Sequence, residues 1–170
     1  MPSESARASS AAEGRYRIDA HNSRPRAVKV VALDRPSEAL AERLAQEPWN
    51  GASFLTASAF SAVPQTALRF SMQAWLSDLS GSTRHLLQEI DSADQVVMIA
   101  CAGKSVPAAG IIGEACSLKR VATTALIIGG AAATDEALSR TLAQVRPWAL
   151  MVVIAGSDAY VADMLRALRA

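Results

Sequence analysis

The alternation of short apolar runs with helical segments limits most strongly what this chain can fold into. A helix start signal or a helical spacing of apolar residues follows these runs along the sequence. Parallel strands cannot be joined by a tight turn, so the order strand, helix, strand predicts β-α units that share one sheet. The five runs that we assign to strands are 27–33, 51–60, 94–101, 121–129 and 149–156.

The five runs are continuously apolar, which is typical of strands covered on both faces. We therefore predict an α/β fold of three layers, in which helices lie on both faces of a five-stranded, mostly parallel sheet. The sheet would be doubly wound, Rossmann-like or flavodoxin-like, and its strand order stays open. A chain of 170 residues fits one domain of this kind.

The first predicted helices depend on proline signals and apolar spacing. Asp34 and Pro36 begin a helix that Pro48 ends. Residues 72–91 carry apolar side chains three and four positions apart, which predicts one helix with a kink at Gly81.

The later helices have capping signals instead. Ser105 and Pro107 are expected to begin a helix that runs to about Leu118. Thr134 is expected to cap the next helix, and Ser157 with Asp158 to begin the last one.

Residues 1–26 differ in composition from the rest of the chain. They are rich in Ser, Ala and Arg and lack apolar periodicity, so we predict a disordered tail followed by one α/β domain over 27–170. The segment has no hydrophobic core of an export signal. Two unpaired cysteines in apolar surroundings, Cys101 and Cys116, fit a reducing compartment, and we expect a soluble, cytoplasmic protein.

Charge and residue counts argue against several classes of partner. The net charge of +1 gives no field that would attract nucleic acid or an anionic membrane. No apolar stretch approaches the roughly 20 residues that a membrane-spanning helix needs. With two cysteines, two histidines and no CxxC pair, we expect no metal site.

Ligands of doubly wound sheets bind outside the carboxyl ends of the strands. This rule limits the search to the loops that follow the predicted strands. Candidate ligand-binding residues in them are Asp34, Cys101, Gly103, Lys104, Ser105, Gly129, Gly130 and Asp158, and the stretch 58–70 is a further candidate loop.

The Cys101–Ser105 loop has the most suggestive local chemistry. A helix N-terminus, the charge of Lys104 and the hydroxyl of Ser105 could together hold a phosphate or a carboxylate. A P-loop would need glycine five residues before Gly103, where Met98 stands inside the strand. Binding of an anionic small molecule and an ordinary capped turn therefore both stay open.

Cys101 is a second kind of candidate. The nearby helix N-terminus and Lys104 would lower the pKa of its thiol, which favours a reactive thiolate. A nucleophile needs a base, and His85 is the one histidine within the predicted domain. Because His85 is predicted to lie in the middle of a helix, a small side chain at the end of a strand is the simpler interpretation of Cys101.

The remaining glycine and acidic positions have structural alternatives. The "DLSGST" stretch over 78–83 is similar to Ser-rich phosphate loops, but its helical context favours close helix packing at Gly81. Gly129 and Gly130 lack the GxGxxG spacing, which argues against NAD or FAD. Asp34 and Asp158 stand where helix-capping acids are expected.

Two further glycines concern packing. Gly110 and Gly113 lie one turn apart and would let a helix approach a sheet or a partner subunit closely.

Two functional hypotheses remain. In the first, the domain binds a phosphorylated or nucleotide-like small molecule at the carboxyl ends of its strands, and whether it is an enzyme stays open. In the second, it is a noncatalytic homo-oligomeric scaffold or interaction protein, as the Ala/Gly-rich helices and the tryptophans Trp49, Trp75 and Trp148 suggest. For these tryptophans, shielding of the sheet edge is the structural alternative.

Overall fold

A seven-stranded mixed sheet forms the middle layer of the described part of the chain. The computed structural model describes residues 25–58 and 75–170. Their elements, in chain order, are β1 Val28–Ala32, α1 Arg35–Leu44, β2 Ala52–Thr56, β3 Trp75–Asp78, β4 Thr83–His85, α2 Leu86–Asp91, β5 Gln95–Cys101, α3 Ala108–Lys119, β6 Ala122–Ile128, α4 Asp135–Val145, β7 Met151–Ile154 and α5 Asp158–Ala167.

The strands lie in the order β4-β3-β2-β1-β5-β6-β7. The strands β2, β1, β5, β6 and β7 are parallel, whereas β3 and β4 are antiparallel and extend the sheet beyond β2. Each of the five parallel strands falls within one of the predicted runs. The α/β class is thus confirmed, but the predicted five-stranded sheet is wrong because of the added hairpin.

The predicted helix over 72–91 is wrong for residues 75–85 and correct only near its end. Residues 75–85 form the β3–β4 hairpin, and helix begins only at Leu86. In the turn, Asp78 Oδ1 accepts hydrogen bonds from the backbone N–H groups of Ser80 and Ser82, at 3.0 and 2.9 Å. Such local side-chain bonds compete with helix, and Gly81 adopts φ +87° in this turn rather than packing against a neighbour.

Two apolar clusters fill the spaces on either side of the sheet. One includes Met98 and Ile112 and lies under α2, α3 and α4, while the other includes Leu40, Ile99 and Leu165 and lies under α1 and α5. The neighbours Met98 and Ile99 belong to opposite clusters because successive side chains of a strand point to opposite faces. The helices therefore cover both faces, as predicted.

The predicted tail falls almost entirely on residues 1–24, which lie outside the described residues, as do 59–74 with nearly all of the candidate loop 58–70. The domain division therefore stays a prediction. Across 25–58 and 75–170, no helix has the length and apolar character needed to cross a membrane.

Candidate functional site

The carboxyl ends of β1 and β5 are neighbours in the sheet. From β1 the chain continues to β2 on one side, and from β5 to β6 and β7 on the other. The topological switch point of this sheet, where ligands of such folds bind, therefore lies between the residues that follow β1 and β5. Asp34 and the Cys101–Ser105 loop, which were predicted as candidates, come together there.

Asp34 connects these two strand ends. Its side chain is buried, and Oδ1 accepts the N–H of Ser37 at 2.9 Å, which caps the start of α1. Oδ2 accepts the N–H of Cys101 at 2.7 Å. Since both carboxylate oxygens hold backbone donors of the protein, Asp34 has a structural role here.

Most backbone N–H groups of the Cys101–Ser105 loop are bonded within the protein. The N–H of Gly103 donates to Thr141 Oγ1 at 2.9 Å, and the N–H of Val106 donates to Gln144 Oε1 at 2.8 Å. The Thr141 hydroxyl in turn donates to the carbonyl of Lys104 at 3.0 Å. These side chains of α4 occupy two of the donors that a bound phosphate could use.

Two further loop amides are also occupied. Ala102 N–H donates to the Ile128 carbonyl and Lys104 N–H to the Cys101 carbonyl. The predicted capping role of Ser105 is wrong, because α3 begins after Pro107 without a side-chain cap and the Ser105 hydroxyl lies 3.4 Å from Gln144 Oε1. Thr134 and Ser157 do cap α4 and α5, as predicted.

The side chains of Lys104 and Ser105 are exposed at this edge. Within 25–58 and 75–170, the Lys104 ammonium has no salt-bridge partner. Of the predicted anion-binding groups, these two side chains are the ones that still face solvent.

Cys101 is half-buried, and its pKa is raised. Burial is the largest cause, the carboxylate of Asp34 raises the pKa further, and the charge of Lys104 lowers it. The expected lowering of this pKa is therefore wrong, and the thiol form is favoured. His85 supplies no base, because it ends β4 and the strands β3, β2 and β1 lie between β4 and β5.

The other candidates at the carboxyl edge serve packing and pairing. Gly129 adopts φ +71°, and a Cβ on it would lie 3.3 Å from the sulfur of Cys101. A Cβ on Gly130 would lie 2.7 Å from Ile154 Cγ2. Asp158 is exposed and forms an ion pair with Arg43. In the described residues, no three His, Cys, Asp or Glu side chains are grouped as a metal site would require.

The glycines of α3 contact Trp148 of the same chain. A Cβ on Gly113 would lie 2.3 Å from Trp148 Cβ, and one on Gly110 would lie 3.5 Å from Trp148 Nε1. The close approach predicted from the spacing of these glycines is therefore made to the turn before β7. An open groove of about 440 Å³ lies beside Trp148, with Arg120 and Leu150 among its lining residues.

Trp49 also makes its contacts within the same chain. Trp49 donates from Nε1 to the Leu44 carbonyl at 2.6 Å and lies under the guanidinium of Arg166. The side chain of Trp75 lies outside the described residues.

Strand β7 has a feature that the sequence analysis missed. It is the last strand of the sheet, and its other side has no neighbour among the described residues. Leu150, Met151 and Ile154 are 84%, 39% and 49% exposed. The continuous apolar run had predicted a strand covered on both faces, whereas here these side chains form an exposed apolar surface, which we call the β7 edge together with the strand's outer backbone.

The backbone of β7 shows which groups face outwards. Ala155 N–H donates to the Ile127 carbonyl of β6 at 2.8 Å. Because the N–H and C=O groups of a strand alternate in direction from residue to residue, those of Val152 and Ile154 point away from β6. The β7 edge therefore combines exposed apolar side chains with backbone donors and acceptors that have no partner in the described part of the chain.

Comparison with protein-family models and with curated proteins finds no match. Among solved structures, the chain is similar to translation elongation factor SelB from Methanococcus maripaludis, which was crystallised with the GTP analogue GppNHp. The identity is 9%, the TM-score is 0.48, and the match covers 85% of this chain and 33% of the factor. The chain thus spans about a third of that factor, and a likeness at this level assigns no activity.

Proposed function

We propose that this domain is a noncatalytic interaction module that binds a β-strand of another polypeptide along the β7 edge. The observation that carries the proposal is the outer side of β7, which no strand of 25–58 or 75–170 pairs with and which is flanked by the exposed side chains of Leu150, Met151 and Ile154. Strand addition to a sheet edge uses main-chain hydrogen bonds for affinity and alternate side chains for specificity.

The residues of β7 carry none of the sequence devices that normally protect edge strands. Proteins prevent unwanted pairing with lysine, proline, bulges or inward-pointing charges on such strands. The residues of β7 are Met-Val-Val-Ile, none of which is charged or proline. An edge that stays both apolar and unprotected is typical of an interaction surface.

The other end of the sheet differs in this respect. Strand β4 has three residues, and its Thr83 and Arg84 side chains are exposed. A short edge strand with a charge resists pairing. Of the two edges of the described sheet, β7 is therefore the one suited to binding.

The experiment measures amide hydrogen exchange at Val152 and Ile154, at a low protein concentration, while a strand donor is added. The donor is a synthetic peptide of residues 149–156 with lysines at both ends for solubility. We expect exchange at both amides to slow by about tenfold or more at saturation, since a paired amide exchanges only after opening. Exchange that stays fast with this peptide and at high protein concentration would contradict the proposal.

The matched variant is Val152→Pro. Proline removes the outward N–H of Val152 but leaves the bonds between β7 and β6, and edge strands accept proline at such positions. In this variant the Ile154 amide should stay unprotected when peptide is added. Circular dichroism and thermal unfolding check that the variant folds.

Binding of a small anion at the carboxyl edge is the second candidate function. One specific observation favours it, namely that the exposed ammonium of Lys104 has no ion-pair partner among residues 25–58 and 75–170. Because the N–H groups of Gly103, Lys104 and Val106 are occupied, such an anion would be held mainly by the side chains of Lys104 and Ser105.

A thermal-shift panel of nucleotides, sugar phosphates and flavins tests this candidate. A ligand at a hundredfold excess over its Kd stabilises the folded state by about 2.7 kcal/mol. We expect any such shift to disappear in Lys104→Ala and to persist in Lys119→Ala, which removes a lysine paired with Asp91. If no compound in the panel shifts the melting temperature, binding of a small anion is rejected as a function.

A further inference from the structure

We propose that the strand that binds the β7 edge is β7 of a second copy of this chain, related by a two-fold axis. This inference rests on the proposed function and adds the identity of the partner. The two sheets would join through antiparallel β7 strands into one continuous sheet. Pairing of an edge with itself is isologous and closes at two subunits.

The side chains of β7 favour a two-fold axis perpendicular to the sheet. Val152 packs with the cluster under α2, α3 and α4, whereas Val153 packs with the cluster under α1 and α5. By the two-residue period of a strand, Ile154 lies on the face of Val152. This axis keeps each face of the sheet on its own side, so the exposed Ile154 side chains of both copies lie on one face.

The backbone fits the same arrangement. The outward N–H and C=O groups belong to Val152 and Ile154, two residues apart, with Val153 between them. If the axis passes beside Val153, Val152 of each copy lies opposite Ile154 of the other. Such opposed residues of antiparallel strands exchange both hydrogen bonds, so each outward backbone group obtains a partner.

The charges of the helices beside β7 are complementary in this arrangement. Helix α4 begins with Asp135 and Glu136 at the carboxyl edge of the sheet and is followed at the amino edge by Arg146. Asp158 and Arg166 of α5 are already paired with Arg43 and Glu47, so the charges of α4 carry this argument. Antiparallel pairing brings the acidic edge of one copy beside the basic edge of the other, whereas a parallel arrangement would bring like charges together.

The opposite edge of the sheet favours a closed dimer over a growing fibre. A chain whose sheet could pair at both edges could add further copies without limit. Strand β4 presents the charged Arg84 and pairs with β3 over only three residues. Once β7 pairs with a second β7, no comparable edge remains in the described sheet.

Sedimentation equilibrium of the full chain tests the inference. We expect the wild type to sediment at twice the chain mass, and Val152→Pro and Ile154→Lys to sediment at the chain mass. The matched control is Leu118→Lys, since Leu118 is 70% exposed and belongs to α3 rather than β7; this variant should stay dimeric. A monomeric wild type would overturn the inference, as would edge variants that stay dimeric.

Cysteine cross-linking tests the register. Cα atoms of directly opposed residues in a non-hydrogen-bonded pair lie about 4.5 Å apart, within the range of a disulfide. Under mild oxidation Val153→Cys should give a covalent dimer, while Met151→Cys, on the same face but displaced along the strand, should not. No cross-link at position 153, or equal cross-linking at both positions, would overturn the two-fold arrangement.

The outcomes separate this inference from the proposed function. A monomeric wild type whose Ile154 amide is still protected by the added peptide would overturn the second copy as partner and leave strand binding intact. A monomeric wild type whose Ile154 amide stays unprotected with every donor would overturn both.

Discussion

The carboxyl edge of the sheet and the β7 edge both present backbone polar groups at the surface of this protein, but the two regions differ in what those groups do. At the carboxyl edge, the N–H groups of Gly103 and Val106 are bonded to side chains of α4. At the β7 edge, the outer groups of Val152 and Ile154 have no described neighbour.

This difference shows that position in a fold does not by itself make a binding site. The switch point between β1 and β5 is where ligands of such sheets bind, yet the protein uses its own Asp34 and Thr141 to satisfy the groups there. Backbone groups must be satisfied once they are buried. Among the described residues, the outward backbone groups of Val152 and Ile154 along β7 have no strand partner.

The largest expected effect is that of Asp34→Ala. It removes the cap of α1 and leaves the N–H of Cys101 without its acceptor, so we expect a loss of about 2–4 kcal/mol in unfolding free energy. Urea denaturation measures it. The control is Asp158→Ala, an exposed acid at the start of another helix, which should change stability by less than about 1 kcal/mol. Equal losses would contradict the structural role of Asp34.

Gly113→Ala is expected to have the next largest effect. The new Cβ would overlap Trp148 Cβ, which lies close to the backbone and cannot swing away. We expect a loss of about 1–3 kcal/mol by thermal unfolding, because overpacking strains a filled site. At Gly156 an added Cβ meets nothing within 4 Å, so Gly156→Ala should leave stability nearly unchanged. A tolerated Gly113→Ala would show that the turn before β7 is not held by α3.

Thr141→Val tests the bonded state of the Cys101–Ser105 loop. Valine has nearly the shape of threonine but cannot accept the N–H of Gly103, so we expect a loss of about 1–2 kcal/mol and faster exchange of the Gly103 amide. Ser139→Ala, an exposed substitution on the same helix, is the control. If Thr141→Val were neutral, the loop donors would be available to a ligand, and the small-anion candidate would gain support.

The smallest expected effect concerns the reactivity of Cys101. Since burial and Asp34 raise its pKa, less thiolate is present at neutral pH, and iodoacetamide should react more slowly than with a small thiol. The reaction rate should keep rising at pH values above the range in which an ordinary thiol titrates. Lys104→Ala should slow it further, because Lys104 lowers this pKa, while Lys119→Ala should not.

Cys116 provides an internal reference for this measurement. Burial raises its pKa to about 12, so it should stay unmodified in the folded protein. Reaction of Cys101 at the rate of an unperturbed thiol would revive the hypothesis of a reactive residue at the carboxyl edge.

Much of the parallel sheet could be predicted from the sequence, because local signals determine it. Each apolar run gave a strand, and the caps Asp34, Thr134 and Ser157 are recognised by their neighbours in the sequence. The β3–β4 hairpin could not be recognised from periodicity. The spacing of Leu76 and Leu79 fits a helix, whereas the turn depends on hydrogen bonds that the backbone N–H groups of Ser80 and Ser82 donate to Asp78.

The site was less predictable because it depends on tertiary packing. No local pattern indicates that Thr141 and Gln144, some 40 residues along the chain, fill the donors of the Cys101–Ser105 loop. The exposure of Leu150 and Ile154 follows from the place of β7 at the end of the strand order. A continuous apolar run looks the same in an edge strand as in a central one.

The most direct test of the account compares four amides in one hydrogen-exchange experiment on the full chain, at low and at high protein concentration. We predict that the Gly103 and Val106 amides are protected equally at both concentrations, and that the Val152 and Ile154 amides become protected only at the high one. Protection of the β7 amides that does not depend on concentration, together with fast exchange at Gly103 and Val106, would contradict the account.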